Sequence, residues 1–484
     1  MSAPRPPTDP PHDPPRGAAV PRQDPHSLAD LGVMHLLAPA QVEARLSAAA
    51  ADWRGWAGGG VGPRLEAMGR LAGLLRRDRD RLAALMTAEV GKRVAESEAE
   101  VDKCAAALDH AAAAGGGWVA PRAVAAKAWH SEVQRRPAGL VLAILPWNFP
   151  LWQAVRVLVS AWPGGNGALL KPAPTALGCA EALAALAAEA GVGPGGLSLL
   201  PVEIDEVARL IADPRVRAVT LTGSEQAGRA VAAHAGAQLK PCVLELGGSD
   251  AFIVLADADV EAAARAAVAA RLLNNGQSCI AAKRFFVEHS VLDGFLDVML
   301  EGFRAVVVGD PADRAVGLGP LHRADLRDQL EQQVAASLRG RRARLLHGGR
   351  RLDGPAWPGH HVAPTLILDP NDGSPAACTE TFGPLAPVWG VRDAVDAVLR
   401  ANDSRYGLCA SIWSADHDRA RALAAELDVG GVFVNEAPYS HPALPFGGVK
   451  CSGLGRELGA EGAVALLDTC TLTFAAPPAG GDHD

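Results

Sequence analysis

The chain has 484 residues, 49% hydrophobic and 21% charged, with a formal net charge of −8 and a pI near 6.0. That length exceeds what one core usually holds, so two or three domains around a large buried core are expected. Acidic and basic residues are mixed with no long basic block, which excludes nucleic acid and anionic membrane as favoured partners and leaves small-molecule chemistry.

Residues 1–26 are rich in proline and poor in apolar side chains, so a disordered tail is expected there. They hold no apolar secretory core, and no segment of the chain reaches the roughly 18 uninterrupted apolar residues of a membrane span. No opening strand is legible before residue 40. From 40 to 114, Ala, Leu, Arg and Glu recur at helical spacing, broken at Ala57-Gly58-Gly59-Gly60 and ended by Gly115-Gly116-Gly117. Strand-like runs at 140–145, 168–170, 197–200, 218–222 and 242–246 then alternate with helical runs at 177–190, 204–212 and 225–235. Such alternation implies parallel strands joined by crossover helices, hence a doubly wound sheet. A second set follows, with strands at 251–254, 284–287, 384–391, 411–413 and 431–435 and helices at 260–273 and 292–306. The fold class is therefore α/β, with two Rossmann-like domains and a small extension.

Eight cysteines stand singly, at 104, 179, 242, 279, 378, 409, 451 and 470, without a Cys-x-x-Cys pair or a nearby His cluster. No metal site and no disulfide framework is expected, and a reducing, cytoplasmic location is. Cys279 differs from the other seven, which fit the commoner role of small buried hydrophobes. It closes Asn274-Asn275-Gly276-Gln277-Ser278-Cys279, a loop after a helix, where a thiol can be exposed and its thiolate held by backbone dipoles.

Upstream, Glu245 ends the strand 242–246 just before Gly247-Gly248, where backbone can approach a ligand closely. Taken alone, a salt-bridged carboxylate is an even alternative there. A thiol that attacks a carbonyl and a carboxylate that activates water together make and hydrolyse a thioester. Asn148, between Trp147 and Phe149, can aim an amide N–H at the developing oxyanion beside the backbone N–H of Cys279. By itself an asparagine that satisfies turn backbone is the commoner case. No Gly-x-Gly-x-x-Gly follows a strand convincingly. Instead Thr222-Gly223-Ser224 closes a strand and opens a helix, where free N–H groups and the helix dipole can hold a pyrophosphate, although any capped helix start has the same pattern.

Seven motifs in order carry a resemblance: Pro146-Trp147-Asn148-Phe149-Pro150, Lys171-Pro172-Ala173-Pro174, Leu221-Thr222-Gly223-Ser224, Glu245-Leu246-Gly247-Gly248, Gly276-Gln277-Ser278-Cys279, Glu380-Thr381-Phe382-Gly383-Pro384 and Pro445-Phe446-Gly447-Gly448. From 43 to 474 the chain resembles the aldehyde dehydrogenase superfamily. It is most similar there to bacterial succinate-semialdehyde dehydrogenases, through Glu245–Asp250 and Ala281–Arg284. The resemblance implies an NAD(P)-binding domain at 27–129 and 150–246, a catalytic domain at 247–436, oligomerisation or bridging segments at 130–149 and 437–475, and a flexible tail at 476–484. It implies a homodimer or homotetramer in which 130–136 and 467–474 pair across subunits.

It also assigns roles. Cys279 attacks the aldehyde, Asn148 and the Cys279 amide stabilise the oxyanion, hydride passes to a nicotinamide, and Glu245 activates the water that releases the acid. Trp147, Lys171, Pro174, Gly223, Ser224, Leu246, Gly247, Glu380 and Phe382 are implied to bind NAD or NADP. Pro174 stands where strict NAD users often carry a glutamate, so NADP is expected to be tolerated. Arg156 matches an arginine that binds the distal carboxylate of succinate semialdehyde. Where many such enzymes place a second arginine, six residues before the cysteine, this chain has Leu273, with Arg271 two positions earlier. Their serine region here reads Tyr439-Ser440-His441-Pro442. Another small aliphatic or aromatic aldehyde is the alternative substrate. Acyl transfer to coenzyme A is disfavoured by Glu245, and a non-catalytic structural relative or a scaffold subunit by the intact Cys279, Glu245 and Asn148.

Overall fold

The computed structural model describes residues 17–126 and 130–475. Two parallel sheets organise the chain. The first has six strands in the order Gly453–Leu454, Cys242–Glu245, Val216–Thr222, Leu140–Ile144, Gly167–Lys171 and Leu197–Leu199, parallel except for Gly453–Leu454. Its runs are almost wholly apolar because both faces are covered. Leu140, Leu142 and Leu169 face the helices Pro39–Gly58, Ile204–Ala212 and Glu225–Ala237. The alternate residues Ala143, Ala168 and Leu170 face Pro150–Ala161, Leu177–Glu189 and Val94–Trp118. That two-sided cover is the doubly wound arrangement expected from the alternation of runs.

The second sheet has seven strands in the order Arg344–His347, Thr365–Leu368, Leu385–Val391, Ala282–Glu288, Asp250–Val254, Cys409–Trp413 and Gly431–Val434, with only Arg344–His347 antiparallel. Phe252 and Phe285 pack on one face against Val260–Leu272 and His289–Ala305, and Ile253 and Phe286 on the other against Ala394–Asn402. The loops holding Asn148 and Ser224 leave the carboxyl ends of strands of the first sheet, and Glu245 ends another, at the edge where open α/β sheets take ligands. Among the described residues no helix is long and apolar enough to cross a membrane.

Two expectations change. The tail expected over 1–26 is ordered in its last part. Ala19–Gln23 pairs with Asp30–His35, and Arg22 of this hairpin donates to the buried Glu89 at 2.8 Å. That distant ion pair and the packing of Val20 and Met34 on the core fix the hairpin; residues 1–16 lie outside the described residues, as does the tail at 476–484. The helix expected to stop at Gly115-Gly116-Gly117 runs through them, from Val94 to Trp118. A Cβ at Gly115 would lie 3.0 Å from Pro163 and 3.1 Å from Leu65, so close packing, not chain termination, explains a glycine there. Within the chain, the segments expected to face a second subunit also pair with each other. Leu467–Phe474 runs antiparallel to His130–Pro137 from Leu467↔Pro137 to Phe474↔His130, with Arg122–Ala123 on the far side. One face of this ribbon is satisfied internally, and Leu467–Phe474 is left as its outer edge.

Candidate active site

The helix Val260–Leu272 ends in the turn Leu273–Gly276, where Asn274 and Asn275 both adopt the left-handed region at φ 51° and 58°. Asparagine tolerates that conformation better than other residues with a Cβ, and here both amides are locked by tertiary hydrogen bonds. Asn274 Nδ2 donates to the Asn148 carbonyl at 2.8 Å, and its N–H donates to Glu96 at 2.9 Å. Asn275 Nδ2 donates to the carbonyls of Gly91 and Pro320, and its Oδ1 accepts from Gly319 N–H. Arg271, fully buried, donates to the carbonyls of Ala282, Gly276, Thr381 and Gly383. This residue is a brace of the loop. The rigid turn sets Cys279 at the mouth of two cavities, half-buried. Burial pushes the thiol up to about 11, opposed by the cations of Lys283 and Arg156.

Asn148, 5% exposed, donates one amide hydrogen to the Gln277 carbonyl at 3.0 Å and retains a second. Glu245, 2% exposed, has no hydrogen-bond partner on either oxygen among the described residues. Burial, and after it the charge of Glu457, raises its carboxyl well above the ordinary range. Glu457 accepts from Thr220 Oγ1 at 3.1 Å and is ion-paired with Arg156 at 2.7 Å. A Cβ at Gly447 would stand 2.6 Å from Glu245 Oε1, so the glycine motif near the C-terminus makes room for this carboxylate.

The larger cavity, about 480 Å³, is lined by Trp147, Asn148, Gly223, Ser224, Glu245, Leu246, Gly247, Cys279, Glu380 and Phe382. It thus gathers seven of the nine residues named for the dinucleotide; Lys171 and Pro174 lie beyond its lining, at the end of the neighbouring strand and in the turn after it. Its size suits a ligand site. Ser224 caps the helix Glu225–Ala237, its hydroxyl accepting from Ala227 N–H at 3.2 Å. Glu380 Oε1 accepts from Gly248 N–H at 3.2 Å and lies 3.4 Å from Lys283 Nζ. A Cβ at Gly247 would fall 2.3 Å from Glu380 Oε2, so only glycine leaves that carboxylate in place. Trp147 is stacked on His322 at 4.2 Å and meets the edge of Phe382 at 5.9 Å, forming an aromatic wall.

A smaller cavity, about 270 Å³, opens on the other side of Cys279 and is mainly apolar, with Phe149, Trp152, Leu273, Ile280 and Phe446 in its wall. Arg156 lies here, buried rather than on a helix surface, with its guanidinium 5.0 Å from the Phe446 ring. Its Nη2 is ion-paired with Glu457 and donates to Thr222 at 3.1 Å, so its charge is already matched by a buried carboxylate. Leu273 lines this cavity; Arg271 does not. Glu457, Lys283, His322 and Lys103 were not singled out from the sequence. Lys103 sits in a helix, Lys283 in a strand and Glu457 and His322 in connecting segments, none with a local pattern that gives sign of a pocket, and only tertiary packing brings them to the site. Among the described residues there is no cluster of three His, Cys, Asp or Glu side chains suited to a metal ion.

Two open parallel sheets around a junction of thiol, buried carboxylate and asparagine amide define an enzyme class built for carbonyl chemistry. The chain belongs to the aldehyde dehydrogenase family, whose pattern it matches over residues 14–472. It is 42% identical over 417 residues to the NAD(P)+-dependent succinate semialdehyde dehydrogenase Sad of Escherichia coli (strain K12), covering 86% of this chain and 89% of that one. It is 41% identical over 410 residues to a probable NADP+ succinate-semialdehyde dehydrogenase of Synechocystis, covering 84% and 88%. The crystal structure of succinic semialdehyde dehydrogenase from Streptococcus pyogenes in complex with NADP+ superposes with a TM-score of 0.90 at 34% identity, covering 93% of this chain and 98% of that one.

Proposed function

We propose that this enzyme oxidises succinate semialdehyde to succinate with NAD or NADP, through a thioester on Cys279. The observation that carries the reading is the position of Cys279 between two cavities, one with the shape and lining for a dinucleotide and one apolar with a charged far end. The names of the relatives supply the substrate and cofactor.

Once its proton has passed to water, the Cys279 sulfur adds to the aldehyde carbon, and the free amide hydrogen of Asn148, with the Cys279 N–H, receives the oxyanion. A bound nicotinamide supplies a hydride acceptor. Glu245 takes a proton from the water that attacks the thioester, a role suited to a carboxylate with no competing hydrogen bond. Trp147, Ser224, Gly247, Glu380 and Phe382 hold the dinucleotide, with Gly223 and Leu246 beside them and Lys171 at the adenosine end. Pro174 places no negative charge near the ribose, so NADP is accepted. The protein works as a homo-oligomer in the cytoplasm, its outer strand Leu467–Phe474 offering the edge for a second subunit.

The test is reduced-cofactor formation by purified protein with succinate semialdehyde, butanal and benzaldehyde, each with NAD and with NADP. Succinate semialdehyde should exceed butanal by about tenfold or more in kcat/KM, the scale of one charged contact, and Cys279→Ala should abolish all turnover. Equal turnover on the three aldehydes would overturn the substrate assignment.

A further inference from the structure

The smaller cavity needs a cation at its far end if its substrate carries a distal carboxylate, and neither arginine supplies a charge that is not already engaged. Arg271 is consumed by four backbone carbonyls, and the charge of Arg156 is paired with the buried Glu457 through Nη2. The long helix Val94–Trp118 lines one wall of this cavity with Glu96, Ala99, Glu100 and Lys103, a single face at helical spacing. Both glutamates are already occupied by fixed donors. Glu96 accepts from Arg93 and from Asn274 N–H. Glu100 pairs with Lys92 and accepts the N–H groups of Leu151 and Trp152 at the start of the next helix.

Lys103 is different. Its Nζ donates to Ser440 Oγ at 2.8 Å and lies 4.3 Å from the Trp152 ring centroid, and it forms no ion pair among the described residues. An ammonium has three N–H bonds, and a serine hydroxyl that accepts one still has its own hydrogen to donate. We propose that Lys103 and Ser440 together form the anchor for the distal carboxylate of the substrate, in place of a paired-arginine arrangement.

The two donors present one N–H and one O–H to the same carboxylate, while Phe149, Trp152 and Leu273 contact the methylenes between it and the aldehyde. Burial and the nearby charge of Arg156 bring the Lys103 ammonium down to about 8, so it is still cationic at neutral pH. The unusual Tyr439-Ser440-His441-Pro442 stretch then has a reason: it carries the hydroxyl that meets a lysine from another element.

This inference rests on the succinate semialdehyde reading, and the experiment separates the two. Steady-state kinetics on succinate semialdehyde and butanal would be measured for the wild type, Lys103→Met, Lys103→Arg and Ser440→Ala, with NADP affinity measured in parallel. For Lys103→Met, KM for succinate semialdehyde should rise about 10- to 100-fold, the value of a charge-assisted contact, while butanal kinetics and NADP affinity stay within about threefold. Lys103→Arg should restore part of the loss, and Ser440→Ala should show a smaller rise confined to the charged substrate.

A wild type that prefers the charged aldehyde, with a Lys103→Met variant that keeps the preference, overturns the anchor alone. A fall on both aldehydes together shows a structural lysine and also overturns it. A wild type with no preference overturns the anchor and the substrate reading at once. If Lys103→Met does not fold, Lys103→Gln, which keeps a polar tip for Ser440, carries the same comparison.

Discussion

Arg156 Nη2 lies 2.7 Å from Glu457 Oε2, with both side chains buried, and this pair faces the unpartnered carboxylate of Glu245. The arginine therefore offsets two acids in a space with little water. Removing one partner of a buried ion pair leaves an uncompensated charge, a loss of about 3–5 kcal/mol. Arg156→Leu should lower the thermal midpoint and also reduce kcat on every aldehyde, charged or not, because Glu245 would lose the cation that favours its ionised form. A loss restricted to succinate semialdehyde would instead show that Arg156 contacts the substrate carboxylate directly.

Glu245→Gln separates the two halves of the reaction. Without a base the acyl group should remain on Cys279, so one equivalent of reduced cofactor should appear rapidly per subunit. Steady turnover should then fall by about 10²- to 10⁴-fold. In the wild type, turnover limited by hydrolysis should climb as pH rises, since a carboxyl held well above its ordinary range must first lose its proton to act as base.

The same shift has a stability consequence of defined sign. A carboxyl with a raised folded pKa binds its proton more tightly in the native state, so its stabilising effect is complete below the ordinary value of 4.5 and is lost as pH rises toward the folded value. Glu245→Gln removes that term. The variant should gain thermal stability relative to wild type as the pH is raised above 4.5, and a gap that narrows with pH would contradict it.

Gly247→Ala tests the cofactor cradle without disturbing the core. The added methyl would meet the tip of Glu380, a movable side chain, not backbone. Glu380 would swing away from Gly248 N–H, so NADP affinity should drop by about tenfold, the value of one such contact, with a nearly unchanged thermal midpoint. Fluorescence titration with NADP beside a melting curve reads both.

The chemistry of the site was legible in the sequence where function demands irregular backbone. Cys279, Asn148 and Glu245 each lie within three residues of a Gly or Pro that would be out of place inside a helix or strand, and the larger cavity brings all three together. Lys103 and Glu457 were not legible, because their neighbours read as ordinary helix or loop and their meaning depends on which distant segment packs opposite. The two sheets followed from alternation of runs. Thr365–Leu368, an apolar run of only four residues, did not, nor did the helix Ala324–Ser337 and the strand Arg344–His347, since that stretch is polar and stabilised by Arg351–Glu331 and similar distant contacts. The hairpin at Ala19–Gln23 failed for the same reason: its anchor, Glu89, is 67 residues away from Arg22.

Pro174→Glu probes cofactor choice. Pro174 opens the short turn Pro174–Ala176 just after Lys171, and the larger cavity does not reach it, so a change there leaves the catalytic groups untouched. A carboxylate at this position would face the 2′-phosphate of NADP with like charge, but could accept hydrogen bonds from the ribose hydroxyls of NAD. Two like charges about 4 Å apart at a protein surface repel by roughly 4 kcal/mol at an effective dielectric of 20, before screening by salt reduces it. KM for NADP should therefore rise at least tenfold and the effect should shrink at high salt, while KM for NAD stays level or falls. Equal changes for both cofactors would mean that residue 174 does not meet the ribose.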